Sequence, residues 1–286
     1  MDIKNENLNH LDLIELDKDL SEEEKKEWNS IYSSYRAGSS LKGHIAGLDE
    51  LNLGGKTISC LIVINYRVKV LIPESEIWYN ESTRRPPHVL RSMAGAVIEY
   101  VITGVDRVGD CATASRRQAL ELRRKLLKRA VLQPNALTTA RVLAVGRKKL
   151  LAEAYGHDFT LSQIDLSYGM IPDLRHEFRP GQECNAIIKD YNKETDTLTI
   201  SIKETEPNPF TGADLRHPAG CRRASKITGK YGGGVFCRLD RNLDCLCTYS
   251  QYQCDEDFQI GNEIIVVITK YNYEKKLIYG KIVSKW

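Results

Sequence analysis

Seven cations stand in the fourteen residues from Arg116 to Arg129: Arg116, Arg117, Arg123, Arg124, Lys125, Lys128 and Arg129, opposed only by Glu121. Such a run either contacts phosphates or forms a solvated connector face. Ala119, Leu122, Leu126 and Ala130 recur between the cations at helical spacing, so the segment reads as an amphipathic helix with its charges outward. The remaining reactive groups suggest less chemistry. Eight cysteines spread along 286 residues read as reduced thiols, not as a disulfide framework. Cys237, Cys245, Cys247 and Cys254 lie close together but lack the paired CxxC of structural zinc sites, so no metal is expected. Cys245 and Cys247 instead read as small hydrophobes on one face of a strand. Gly55-Lys56-Thr57 looks like the end of a phosphate loop, yet Glu50 stands where that loop needs its first glycine. The six histidines stand alone, without HExxH, and no GxSxG is present. Neither an enzyme nor a cofactor is expected.

The elements that would position these groups are announced by a hairpin written three times. It begins at Gly95, Gly181 and Gly261, and in each copy the turn starts eleven residues later, at Asp106, Asn192 and Asn272. Alternate positions carry Ile98, Tyr100 and Ile102; Cys184, Ala186 and Ile188; Ile264, Val266 and Ile268. Period two marks one face of a strand, and a hairpin cannot bury a face alone. Each copy is therefore the closing half of a separate small β module. Counting strands upstream gives five per module with a polar segment before the fourth, as in a Greek-key barrel of the OB type.

The expected fold is mainly β: three tandem five-stranded OB-type Greek-key barrels with an N-terminal helix and a basic connecting helix. The organisation read from the chain is an acidic tail and amphipathic helix (1–37), a first module (38–120), a basic helical linker (121–137), a second module (138–205), a linker (206–217) and a third module (218–286). Ser21 with Glu24 forms a capping box, Trp28, Ile31, Tyr32 and Tyr35 follow at helical spacing, and the helix should end near Gly38. Residues 80–93, with Pro86-Pro87, read as a polar loop.

Residues 1–28 carry a net charge of −6 within a chain of +3, leaving +9 on the remainder, a balance that favours a polyanion. The acidic tail could fold over the basic helix and compete with such a ligand. No apolar run approaches the ~18 residues of a membrane span, and the N-terminus lacks a signal-peptide core. A cytoplasmic, soluble, monomeric protein without membrane partners is expected.

Three stretches resemble the RNA-binding repeat of the bacterial ribosomal protein S-one family: LIPESEI (71–77) with VDRVGDCATASRRQAL (105–120), the whole second unit, and GKYGGGVFCRL (229–239). Together they cover about residues 38–286. The resemblance implies single-stranded RNA laid across strands two and three, with bases stacked on aromatics and phosphates held by cations. An exposed aromatic meets an unpaired base at about 1–3 kcal/mol, whatever the family. In the third module the strand-two aromatic falls on Phe236, with Lys230, Tyr231 and Arg238 close by. Gly232, Gly233 and Gly234 either admit a ligand or bend a strand. The family's second aromatic is replaced by Gly233 and its strand-three histidine by Thr248, for which Tyr249 is a partial substitute. In the second module Tyr155, His157 and Phe159 cluster at the turn between strands two and three. The first module lacks the Gly-x-Phe element and has Pro73 at the histidine place, which suits it to docking on the ribosome or a ribosomal protein.

The RNA-binding residues expected are therefore Phe236, Tyr231, Lys230, Arg238, Tyr249, Tyr155, His157, Phe159, Arg116, Arg117, Arg123 and Arg124. The function expected is non-enzymatic binding of single-stranded RNA, such as mRNA in translation or its regulation. A protein-interaction or ribosome-docking scaffold, or single-stranded DNA binding, are the alternatives left open.

Overall fold

The computed structural model of the protein describes residues 20–53, 56–64, 66–130, 133 and 135–285. The acidic tail, with its competition for the basic helix, and Gly55 of the phosphate-loop fragment lie outside the described residues. The first helix, α1 (Glu22–Ala37), starts at the capping box of Ser21 and Glu24 and ends at Gly38, whose φ of 62° lets its N–H reach the Ser34 carbonyl. Trp28 and Ile31 are buried in the core of the first module. Glu27 receives the backbone N–H groups of Tyr66, Arg67 and Val68 at 3.1, 3.0 and 3.3 Å, which ties the helix to a strand turn.

The first module comprises β1 (Leu41–Leu53), β2 (Lys56–Ile64), β3 (Lys69–Pro73), the short α2 (Pro87–Arg91), β4 (Val97–Asp106) and β5 (Cys111–Ser115). It is a closed barrel in the order β1-β2-β3-β5-β4, with β3 parallel to β5. The segment expected as a polar loop is packed instead: Leu90 and Met93 are buried in this core. The connecting helix α3 (Arg116–Arg129) begins directly at the end of β5, five residues before the expected linker, and is capped by the Ser115 hydroxyl. The second module comprises β6 (Leu137–Val145), β7 (Lys149–Ala154), β8 (His157–Ser162), α4 (Gln163–Leu166), β9 (Glu183–Asn192) and β10 (Thr197–Ser201). The third comprises α5 (Ala213–Arg216), β11 (Arg222–Tyr231), β12 (Gly234–Asp240), β13 (Leu243–Thr248), β14 (Glu263–Asn272) and β15 (Leu277–Lys285), again a closed barrel. Within the segment read as its linker, Ala213 is fully buried and Phe210 packs on Tyr271 and Tyr273. The protein is thus mainly β, three five-stranded sheets of which two close, consistent with OB-type modules.

The repeated hairpin has one construction throughout. Gly95, Gly181 and Gly261 have φ of 85°, 85° and 97°, and each donates its N–H at 2.8 Å to a first-strand carbonyl, of Ile45, Val142 and Ile227 respectively. Left-handed φ explains the glycine, since a Cβ there costs about 1–2 kcal/mol. All nine alternating positions are buried, none more than 9% exposed. The side chains of Asp106, Asn192 and Asn272 accept turn N–H groups at 2.9 Å, from Gly109, Glu194 and Lys275.

The second module departs from the expected barrel. It is an open sheet in the order β10-β9-β6-β7-β8, with no ladder described between β8 and β10. In the first module the N–H of Lys69 donates to the carbonyl of Asp110, four residues after the turn begins, at 3.2 Å. The matching carbonyl of Asp196 is met by the imidazole Nε2 of His157 at 3.0 Å. A side chain therefore stands where the closing ladder would start. The His157 ring also meets Tyr191 edge-on, centroids 6.3 Å apart.

The first two modules share a core. Leu143, Ala144 and Leu151 of the second belong to the apolar cluster built on Trp28, Leu61 and Tyr100 of the first. A Cβ on Gly181 would lie 2.6 Å from the carbonyl oxygen of Gly95, so the two equivalent corners touch.

Candidate nucleic-acid interface

Helix α3 lies in the junction between the first two modules and spends its arginines there. Arg116 is fully buried and forms a two-pronged pair with Asp158 at 3.0 and 2.6 Å, besides a bond to the Ile77 carbonyl at 3.0 Å. Arg117 pairs with Glu76 at 2.7 Å. Arg123 grips Glu99 with two bonds of 2.5 Å, and Arg141 joins Glu99 to Glu153 at 3.1 and 2.8 Å. Burial alone would push the Glu99 carboxyl up, but the Arg123 bonds and the charges of Arg141 and Arg123 hold it below the usual carboxylate range. Arg124 pairs with Asp196 at 3.0 Å, bonds the Gly156 carbonyl at 2.8 Å, and lies 3.7 Å over the Tyr79 ring. Arg116, Arg117, Arg123 and Arg124 thus serve as inter-element ties; the side chains of Arg116 and Arg124 are 1% and 11% exposed, those of Arg117 and Arg123 42% and 39%. The apolar stripe is rotated accordingly: Arg116, Ala119, Leu120 and Leu127 are buried, whereas Leu126 is 58% exposed. Lys125, Lys128 and Arg129 are the exposed cations of the helix.

The aromatic cluster of the second module is likewise enclosed. Tyr155 and Gly156 form the β7–β8 turn with φ of 52° and 80°, and a Cβ on Gly156 would come within 2.5 Å of the Leu120 carbonyl of α3. His157 is 6% exposed, its two nitrogens 3.2 and 3.0 Å from the carbonyls of Tyr155 and Asp196. Burial, and then the charge of Arg124, pull its pKa below the usual histidine value, so the ring is neutral at pH 7 and donates to one carbonyl only. Phe159 pairs across with Ala152 and packs on the module's own core. His157 is thus buried and held at both nitrogens, while Phe159 is half-buried and Tyr155 remains 37% exposed. The outer face of β7 is closed too, because Leu151 sits in the shared core and Glu153 holds Arg141 and the Gly156 N–H.

The third module leaves its outer face more open. Val235, Cys237, Cys245 and Cys247 point inward and are completely buried. The Cys245 thiol is pushed far up by its contact with Cys247 and by burial, which makes it an inert packing group. Phe236 points outward between Gly229 of β11 and Leu246 of β13, its register partners. Gly229 leaves room for its ring: a Cβ there would be 3.4 Å from Phe236 Cδ2. Tyr231 lies beside it, centroids 5.4 Å apart, and both rings are half-buried. Gly234 is required by the barrel, since its Cβ would meet the Cys247 carbonyl at 2.0 Å; Gly232 and Gly233 are exposed. Lys230 reaches the Asp255 carboxylate at 2.8 Å, and the Tyr249 hydroxyl bonds the same carboxylate at 2.6 Å while its ring stacks on Phe258 at 5.5 Å. Arg238 is held by Asp244 at 2.5 Å and by the Met170 carbonyl at 2.6 Å, a tie to the second module that its sequence position did not announce. A half-open aromatic pair beside two exposed glycines thus lies on the outer strands of a closed five-stranded barrel, consistent with an OB-type module.

No protein-family model matches the chain. It is 22% identical over 274 residues to small ribosomal subunit protein bS1 of Neisseria meningitidis serogroup B, an alignment covering 91% of this chain and 46% of that protein. With bS1 of Pseudomonas aeruginosa it shares 21% over 261 residues, 88% of this chain and 44% of the relative. A 4-hydroxy-3-methylbut-2-enyl diphosphate reductase of Clostridium acetobutylicum shares 22% over 229 residues, 76% of this chain and 35% of the enzyme. The chain thus spans less than half the length of these curated relatives. A solved multidomain protein with nucleic acid binding domains from Streptococcus pneumoniae covers 86% of the chain and 73% of its own at 12% identity and a TM-score of 0.21, too low to bear on module arrangement. These two ribosomal matches run over more of the chain than the reductase match, and the chain is similar to bS1 at 21–22% identity.

Proposed function

We propose that the chain is a non-enzymatic, cytoplasmic protein that binds single-stranded RNA, such as mRNA in translation or its regulation. The observation that supports this reading is the outward Tyr231–Phe236 pair, 5.4 Å apart beside exposed Gly232 and Gly233. Unpaired bases stack on such rings, and backbone without side chains lets a strand approach. The first two modules act together as the platform that carries this face. Anisotropy of a labelled mixed-sequence RNA across a salt series tests the reading, with an expected slope of about −0.7 per phosphate contacted. Phe236→Ala should weaken binding by about 1–3 kcal/mol with the unfolding midpoint retained. Absence of binding at low salt, or full affinity in the variant, would refute it. Competition by DNA of the same sequence separates RNA from single-stranded DNA as ligand.

A second reading concerns the first module, whose outer strand face carries Ile62, Ile64, the buried Leu71 and Lys69 without an aromatic, with Ile64 44% exposed and Lys69 paired to Asp49 at 3.1 Å. Such a face suits docking on a ribosomal or other protein. A pulldown partner that survives ribonuclease and is lost on deleting residues 1–120 would support it.

A further inference from the structure

The chain from Ser167 to Pro172 leaves the second module and lies against the outer face of β12 and β13. The Met170 N–H donates to the Asp244 carboxylate, and the Met170 carbonyl accepts from Arg238 at 2.6 Å. The fit is close: a Cβ on Gly169 would lie 2.9 Å from both Arg238 Nη2 and Asn242 Cα, and one on Gly229 would lie 3.2 Å from Met170 Cγ. This strap forms one wall of a cleft of about 730 Å3. Tyr168 and Lys203 line it from the second module, Phe236 and Leu246 from β12 and β13, and Lys275 and Lys276 from the β14–β15 turn. Its two carboxylates are already neutralised, Glu204 by Lys189 and Asp244 by Arg238. The Lys203 ammonium donates to the Ile164 carbonyl at 2.7 Å and lies 5.6 Å over the Tyr168 ring, whereas Lys275 and Lys276 are exposed and, among the described residues, form no ion pair. An aromatic from each module, the two unpaired turn lysines and Lys203 meet in a space of the size that holds a small organic ligand. Bases need the first and phosphates the second.

We infer that single-stranded RNA is seated in this intermodular cleft, its bases against Phe236 and Tyr168 and its phosphates at Lys203, Lys275 and Lys276. The second module then completes the site of the third, through its strap instead of its own strand face. This inference rests on the RNA-binding reading above. Anisotropy on the full chain with a labelled 12-nucleotide mixed-sequence RNA tests it, comparing wild type, Phe236→Ala, Tyr168→Ala and the double variant Lys275→Gln/Lys276→Gln. Tyr168→Ala should weaken binding about 5- to 100-fold. The exposed turn lysines can change without disturbing a core, and their loss should flatten the salt slope by about 1.4. Wild-type affinity in Tyr168→Ala, or a wild-type slope in the lysine variant, overturns the composite seat while a weakened Phe236→Ala leaves RNA binding by the third barrel standing. Full affinity in Phe236→Ala removes both.

Discussion

Arg116 and Asp158, with side chains 1% and 2% exposed, are opposite charges withdrawn from water at the junction of two modules. Breaking such a pair leaves an uncompensated buried charge, which costs about 3–5 kcal/mol. Arg116→Met should therefore lower stability by that order in urea unfolding, and Arg116→Met with Asp158→Leu should recover most of it. His157 makes the stability of the same region depend on pH. Its folded-state pKa is depressed from 6.5 by burial and then by Arg124, so the unfolded chain binds the proton more readily. Its stabilising contribution is present above about 6.5 and is lost as pH falls from there through the folded value. The difference in unfolding free energy between pH 7.5 and 5.5 should shrink in His157→Asn relative to wild type.

At the scale of elements, the hairpin that recurs three times supplies the last two strands of each module, and only the turn of its third copy, with Lys275 and Lys276, enters the proposed RNA seat. Its glycines are constrained by two separable effects. Gly261 has a left-handed φ and only Lys226 Cε within 4.0 Å, whereas Gly181 has the same kind of φ and the Gly95 carbonyl at 2.6 Å from its missing Cβ. Gly261→Ala should cost about 1–2 kcal/mol from backbone strain alone. Gly181→Ala should cost more, because the added methyl also pushes the first two modules apart, as thermal unfolding would read. Helix α3 shows the same dependence on neighbours: its cations hold Glu76, Glu99, Asp158 and Asp196, and through them two sheets.

For the whole molecule, the cores divide the chain unequally. The third barrel's core draws only on residues from Phe210 to Ile282, whereas the first module's includes Leu143, Ala144 and Leu151 of the second. A fragment of residues 206–286 should fold cooperatively alone. Residues 138–205 alone would expose that apolar face and leave Arg141 without Glu99; this fragment should bind a hydrophobic dye and lack a sharp thermal transition. Among the described residues no helix is long and apolar enough to cross a membrane.

The sequence by itself determined the number of modules, the inward faces of their closing strands and the positions of their turns. Those features are local: period two selects a face, and a glycine eleven residues before an Asx turn marks a corner. Its resemblance to the S-one repeat also pointed to Phe236 as the strand-two aromatic, with Tyr231 close by. Only the tertiary structure decided what those faces meet. A cation on a helix has the same spacing whether its partner is water, a phosphate or a carboxylate far along the chain, and Arg123 and Arg124 found theirs 24 and 72 residues away. An aromatic at a strand turn reads alike whether the turn is free or pressed on a helix, and the sequence does not show that the turn of Tyr155 and Gly156 lies against α3 or that His157 is buried beside it. The Met170 strap left no mark at all, because nothing local distinguishes a loop that will lie across the neighbouring barrel.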